Sequence, residues 1–153
     1  MADTKAQNEA EFWIRRHALQ EQFGQQFTKR SLVLTTGGEF SFDAVSEDGK
    51  IVAAISTSVG TRPGGKDATA KLLKIRSDVL WFYMLERVPE RKMLVFSEQS
   101  MVDLVEKEKK KGRFPLEFEI LKVELPSDIA VKVAESQRIA SEEVSPKTHK
   151  HKD

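Results

Sequence analysis

Phe40-Ser-Phe-Asp-Ala-Val45, an Asp48-Gly49 turn and Lys50-Ile-Val-Ala-Ala-Ile-Ser-Thr57 read as two adjacent β-strands, with one acid, Asp43, among apolar neighbours. Asp is depleted from strands because its short polar side chain competes with the ladder for backbone hydrogen bonds. Two readings of Asp43 follow. It marks a retained or vestigial site, or it sits at a strand end and accepts hydrogen bonds from backbone or serine near the turn.

Upstream, Ser31-Leu-Val-Leu-Thr-Thr36 is apolar and β-branched, and Gly37-Gly38 supplies a tight turn into the Asp43 strand. Three antiparallel strands are therefore expected, over about 31–36, 39–46 and 50–57. An amphipathic helix is expected before them, from about Asn8 to Phe23, with Phe12, Leu19 and Phe23 on one side and Ile14 nearby. Asn8 and Glu11 have capping-box spacing, and Gly24 can end the helix.

Downstream, Val59-Gly-Thr-Arg-Pro-Gly-Gly-Lys66 has the composition of an irregular loop. Asp67 is the expected N-cap of a helix over about 68–87, whose apolar residues run round most of its circumference and predict burial. Val88-Pro89 is the expected stop. A central strand over about 92–96, a helix over about 98–111, a strand over about 115–124 and a last helix from Ser127 to about Ile139 complete the order. Residues 1–139 thus read as one domain, and 140–153, dominated by Ser, Glu, Lys and His, as a disordered charged tail.

Composition narrows the possibilities. At 153 residues the chain suits a single domain with a real core. Twenty-five Lys plus Arg against 24 Asp plus Glu leave a net charge of +1, so attraction to DNA or RNA needs a local basic patch. No cysteine is present, which excludes disulfides, thiolate zinc sites and cysteine nucleophiles. No apolar run approaches about 18 residues, and the first residues lack a hydrophobic signal core. A soluble, cytoplasmic protein without membrane contact is expected.

The order α-β-β-β-α-β-α-β predicts an α/β fold with a mixed central sheet flanked by helices. This order, with Phe42-Asp43 followed by Gly49-Lys50-Ile51-Val52-Ala53, resembles the PD-(D/E)XK superfamily, the restriction-endonuclease-like nucleases, over roughly residues 8–124. The resemblance implies an αβββαβ core with a catalytic, metal-binding Asp on its second strand and Glu-x-Lys on its third. In the family the carboxylates hold magnesium, which activates water and stabilises charge on the scissile phosphate.

Asp43 matches the family Asp. Ala54 stands at the Glu position and Ser56 at the Lys position, so the chemistry is missing even though Val52, Ala54 and Ser56 share one face. Lys66, Lys71 or Lys74 could replace the charge, and Asp67, Glu9 or Glu11 the second carboxylate. Their plainer readings are helix caps and solvated helix positions.

A second constellation is basic. A glycine-containing loop carrying Arg62 and Lys66 leads to Lys71, Lys74 and Arg76 and could present N–H groups to a phosphate. It is not a P-loop, because Asp67 replaces the required Ser or Thr. Lys107, Lys109, Lys110, Lys111 and Arg113 suit a helix C-terminus. His17, four residues after Trp13, is placed for side-chain contact. Trp13, Trp81, Phe82 and Tyr83 read as core or interface residues, and nothing marks a Ser-His-Asp set.

Two function classes remain. One is a nuclease-fold domain of nucleic-acid-related role, with Asp43 as its catalytic remnant and Arg62, Lys66, Lys71 and Lys74 as nucleic-acid contacts. It would be inactive, weakly active or, if the catalytic residues have migrated, a magnesium-dependent enzyme. The other is a structural or protein-interaction module on the same fold.

Overall fold

The computed structural model of the chain describes residues 4–62 and 64–144. Three layers are stacked: two helices, a five-stranded sheet and two more helices. The first helix, α1, runs through Lys5–Trp13, a π-helical stretch Ile14–Leu19 and a last turn Gln20–Phe23. Strands β1 (Phe27–Val33), β2 (Glu39–Ser46) and β3 (Ile51–Ser56) form the meander. Helix α2 (Thr69–Tyr83), β4 (Arg91–Phe96), α3 (Gln99–Lys110), β5 (Phe118–Lys122) and α4 (Ser127–Val144) follow.

The sheet order is β1-β2-β3-β4-β5. The first three strands pair antiparallel, and β3, β4 and β5 pair parallel. Parallel neighbours require crossover helices, and α2 and α3 are those crossovers. This is the expected α/β architecture with a mixed sheet.

Both sheet faces are covered, so β3 and β4 are buried from both sides. Val52, Ala54, Leu94 and Phe96 point to Leu72, Ile75, Val79 and Phe82 of α2 and to Met101, Leu104 and Val105 of α3. Ile51, Ala53, Ile55, Met93 and Val95 point to Ile14 and Leu19 of α1. Helix α4 lies against α1 through Ile129, Val133 and Ala10.

Two irregularities decide what reaches the middle of the molecule. In β2, Thr28 pairs with Val45 but Arg30 with Phe42, so two steps along β1 match three along β2. The extra residue is a bulge at Asp43–Ala44, and the alternation breaks there. Phe42 and Val45 share the α2 side, while Ala44 faces α1. Bulges bend a strand and re-aim side chains.

In α1, Ile14 and Leu19 are both fully buried although they are five residues apart. On a regular α-helix that spacing would place them about 140° apart. The π-helical turn absorbs the mismatch. It also turns Phe12 outward, where it is 52% exposed, against the expectation that it shares the buried side.

Several boundaries differ from the sequence reading. Asn8 is not a cap: its N–H donates to the Thr4 carbonyl at 2.9 Å, inside a helix that begins at Lys5. Asp67 is not a cap either, because Ala68 holds the N-cap position of α2 without a side-chain bond. Strand β1 starts at Phe27, earlier than expected, since an edge strand needs only its backbone ladder and its exposed side chains carry no apolar signal.

Helix α2 ends at Tyr83, before Val88-Pro89. There Leu85 bridges to Leu34, and the Thr35 N–H donates to the Met84 carbonyl, drawing the chain out of the helix. The same helix is not apolar-buried all round: Leu73, Leu80 and Tyr83 are exposed. Residues 140–144, expected in the tail, continue α4. Extending a formed helix through good helix formers needs no apolar face. The rest of the expected tail, 145–153, lies outside the described residues. Among the described residues no helix is long and apolar enough to cross a membrane.

Candidate functional site

The bulge turns Asp43 toward the point where β2 and β3 part. Their ladder covers Ala44–Ala53 and Val45–Val52, and beyond it Asp43 Oδ2 accepts the Ile55 N–H at 2.8 Å. Asp43 therefore replaces a missing ladder bond, which is a structural use of the carboxylate. It does so mid-strand, away from the Asp48-Gly49 turn named in the plainer reading. At that turn Asp48 itself accepts from Ser46 Oγ and the Lys50 N–H.

Beside Asp43 a small cleft of about 70 Å³ opens between β2 and α2. It is lined by Phe40, Ser41, Phe42, Asp43, Ala54, Lys74, Asp78 and Phe82. Ala54 thus forms part of its wall. Ser56 does not reach it, and its Oγ accepts the Ser58 N–H at 3.2 Å instead.

Lys74 is the lysine brought to Asp43, and it donates to Asp78 one turn further along α2, at 3.2 and 3.4 Å. Sequence reasoning does not single out Asp78, although its i,i+4 spacing from Lys74 is a usable signal. Helix α1 closes the other side. Arg15 donates to the Asp43 carbonyl at 3.0 Å and lies 4.0 Å from Glu11.

The electrostatics tie these acids together. Burial pushes the Glu11 carboxyl up to about 6, and the negative charge of Asp43 adds to the rise while Lys29, Arg15 and Lys74 oppose it. Asp78 is also raised, first by burial and then by Asp43, against the pull of Lys74. Carboxylates withdrawn from water and set near another negative charge hold protons more tightly. Even so, among the described residues no three His, Asp or Glu side chains are arranged to hold a metal ion. Asp43, with one oxygen engaged by backbone, is by itself a weak magnesium ligand set.

The remaining candidate carboxylates lie elsewhere. Glu9 pairs with Lys132 at 3.3 Å and borders a separate apolar groove of about 460 Å³ between α1 and α4. Asp67 accepts Lys107 Nζ at 2.7 Å.

The basic loop is more ordered than its composition suggests. The Arg62 N–H donates to the Lys66 carbonyl, Gly65 to Arg62 and Ala68 to Gly60, and Thr61 bridges Asp67. Gly60 donates to Ser100 Oγ at 2.8 Å, and a Cβ there would stand 2.4 Å from the Ser100 carbonyl oxygen. The loop is thus a small hairpin pinned to α3, with these N–H groups bonded internally. The Arg62, Gly65 and Ala68 N–H groups are therefore not open to a phosphate.

What the loop does offer is charge. Arg62, Lys66 and Lys71 are exposed, and among the described residues none of them is ion-paired. Lys71 stands one turn before Lys74. The second basic run is largely committed: Lys107 holds Asp67, Lys109 the Phe118 carbonyl, and Arg113 Glu108. His17 stacks on Trp13 at 5.6 Å, as its spacing suggests.

No protein-family model, no curated protein and no solved structure matches the chain.

Proposed function

We propose that the chain is a restriction-endonuclease-like domain with a nucleic-acid-related role, holding phosphate through Lys74 and the cations that lead to it, and cleaving weakly or not at all. The αβββαβ order and the sequential sheet support the fold assignment. The observation that carries the functional reading is the meeting of Asp43, Ala54 and Lys74 in one cleft, with Lys74 on a helix whose first turn and preceding loop carry Lys71, Arg62 and Lys66, exposed and forming no ion pair among the described residues. Ala54 removes the second carboxylate and the Ile55 N–H engages the first, which is why hydrolysis is expected to be poor. Lys74 keeps a cation beside Asp43 even though Ser56 holds no charge.

A second reading has its own support. Glu11 and Asp78 both feel Asp43, so a relocated catalytic set would use one of them as the second carboxylate and Lys74 as the lysine.

The test measures binding of single- and double-stranded DNA and RNA across a salt series, then cleavage with magnesium or manganese. Neutralising Arg62, Lys66 and Lys71 to Gln is expected to flatten the salt slope by about 0.7–0.9 for each phosphate that is no longer neutralised. Binding that is absent or insensitive to salt supports the protein-interaction module instead. Cleavage abolished in both Asp43→Ala and Lys74→Met establishes the relocated set, and equal cleavage by wild type and variants marks a contaminant.

A further inference from the structure

The cleft has an aromatic end that the phosphate reading leaves unused. Lys71, Lys74, Asp78 and Trp81 follow one another at spacings of three, four and three residues, which places them along one face of α2. At the far end of this stripe Trp81 stacks on Phe40, with centroids 4.2 Å apart and planes only 9° from parallel. Phe40 comes from β2 and lines the cleft with Asp43, and both rings are half-buried. The stripe therefore passes from cations, through acids, to a flat aromatic pair.

A polyanion is drawn to the cationic end and repelled in the middle by Asp43 and Asp78. A nucleobase carries no such penalty and can stack on an aromatic ring. It can do so only when it is free of its own duplex neighbours. We infer that this site takes single-stranded nucleic acid, with backbone phosphate at Lys71 and Lys74 and an unpaired base on the Phe40–Trp81 stack. The inference rests on the phosphate-binding reading above and adds strandedness and a base contact to it.

The chain has two tryptophans, so Trp13→Phe leaves Trp81 as the sole indole emitter. In that background three labelled probes are titrated by anisotropy while Trp81 emission is followed: an oligothymidylate, a duplex of the same length, and an oligomer of abasic deoxyribose phosphates. The oligothymidylate is expected to bind tightest and quench Trp81. Trp81→Leu and Phe40→Leu, which keep apolar bulk, are expected to weaken it about 10-fold while leaving the abasic oligomer unchanged.

Equal affinity for the oligothymidylate and the abasic oligomer, with unchanged Trp81 emission, overturns base stacking and leaves the phosphate site standing. Equal or tighter binding of the duplex overturns the strand preference. Failure of all three probes to bind overturns the nucleic-acid reading itself. The quenching and probe comparisons use intact Trp81, so they decide the matter even if a leucine variant fails to fold.

Discussion

Glu108 and Glu11 are both carboxylates held largely away from water, and their surroundings push them in opposite directions. Glu108 Oε1 accepts from Arg76 at 2.8 Å and from Arg113 at 3.0 Å, while Oε2 accepts from Arg113 at 3.1 Å. Hydrogen bonding from Arg113 lowers its carboxyl, with Arg76 assisting. Glu11 has burial and Asp43 against it, and its carboxyl rises to about 6. The first acid is saturated with cations and closes α3 against α2. The second is half-buried beside another acid, and Lys29, Arg15 and Lys74 offset only part of the rise. A half-buried acid raised further by a like charge is the kind of group that sites use, whereas an acid saturated by guanidinium groups serves as a clasp.

The clasp should respond most strongly to substitution. Glu108→Gln removes the charge facing two guanidinium groups and is expected to lower Tm more than any substitution in the Asp43 cluster, measured by thermal denaturation at pH 7. Because the Glu108 carboxyl is lowered on folding, its contribution is present above the ordinary carboxylate range and is lost as pH falls below it. An unchanged Tm in Glu108→Gln would undo the contrast between clasp and site.

Next is the backbone contact of Asp43. Asp43→Ala leaves the Ile55 N–H without its acceptor and is expected to cost about 1–2 kcal/mol in urea unfolding. Asp43→Asn, which retains an oxygen acceptor, is expected to recover most of that. If the two variants are equally unstable, the charge of Asp43 matters to the fold and the carboxylate is no longer free for another task.

Much of this architecture is legible in the sequence. Strands β3 and β4 are buried on both faces, so their continuous apolar runs give their position within about a residue, and the turn glycines mark the meander. The details around Asp43 are not legible, for specific reasons. The bulge at Asp43–Ala44 adds one residue to a strand whose alternation is the only available guide. The π-turn at Ile14–Leu19 likewise defeats a search for the α-helical period, which is why that period puts Phe12 inside. Asp67 resembles a cap because it precedes the helix, yet Lys107, 40 residues away, uses its carboxylate. Glu11 and Lys74 are among the six residues the sequence offers as a second carboxylate or a cation for Asp43. Arg15 is not, because its role depends on a contact between elements, and Asp78 offers only its i,i+4 spacing from Lys74.

A smaller effect concerns Glu11. Its folded carboxyl is raised above the ordinary value of 4.5, so its favourable contribution is complete below about 4.5 and is lost as pH climbs to about 6. After allowance for the solvent that reaches it, the stability lost across this window is expected to be about 1 kcal/mol. Glu11→Gln should remove that slope, measured by urea unfolding at several pH values. Since Glu108 loses its contribution in the opposite direction, at lower pH, the two variants should flatten different limbs of the same profile.

The weakest response is the most informative about the cluster. Asp43 is a cause of the rise in both Glu11 and Asp78, on two helices that approach β2 from opposite sides. Asp43→Asn keeps the shape of the side chain and removes only its charge, so both carboxyls should titrate lower, as followed by carbon NMR of the two side chains. Lys74→Met should move Asp78 the other way, upward, because Lys74 holds it down. Concerted downward movement on Asp43→Asn would mean that the three acids share one field and can act as a unit on a bound cation. Movement of neither would reduce Asp43 to a ladder repair, with Glu11 and Asp78 raised by burial alone. The Phe40–Trp81 end of the cleft would then be the better place to look for what the molecule binds.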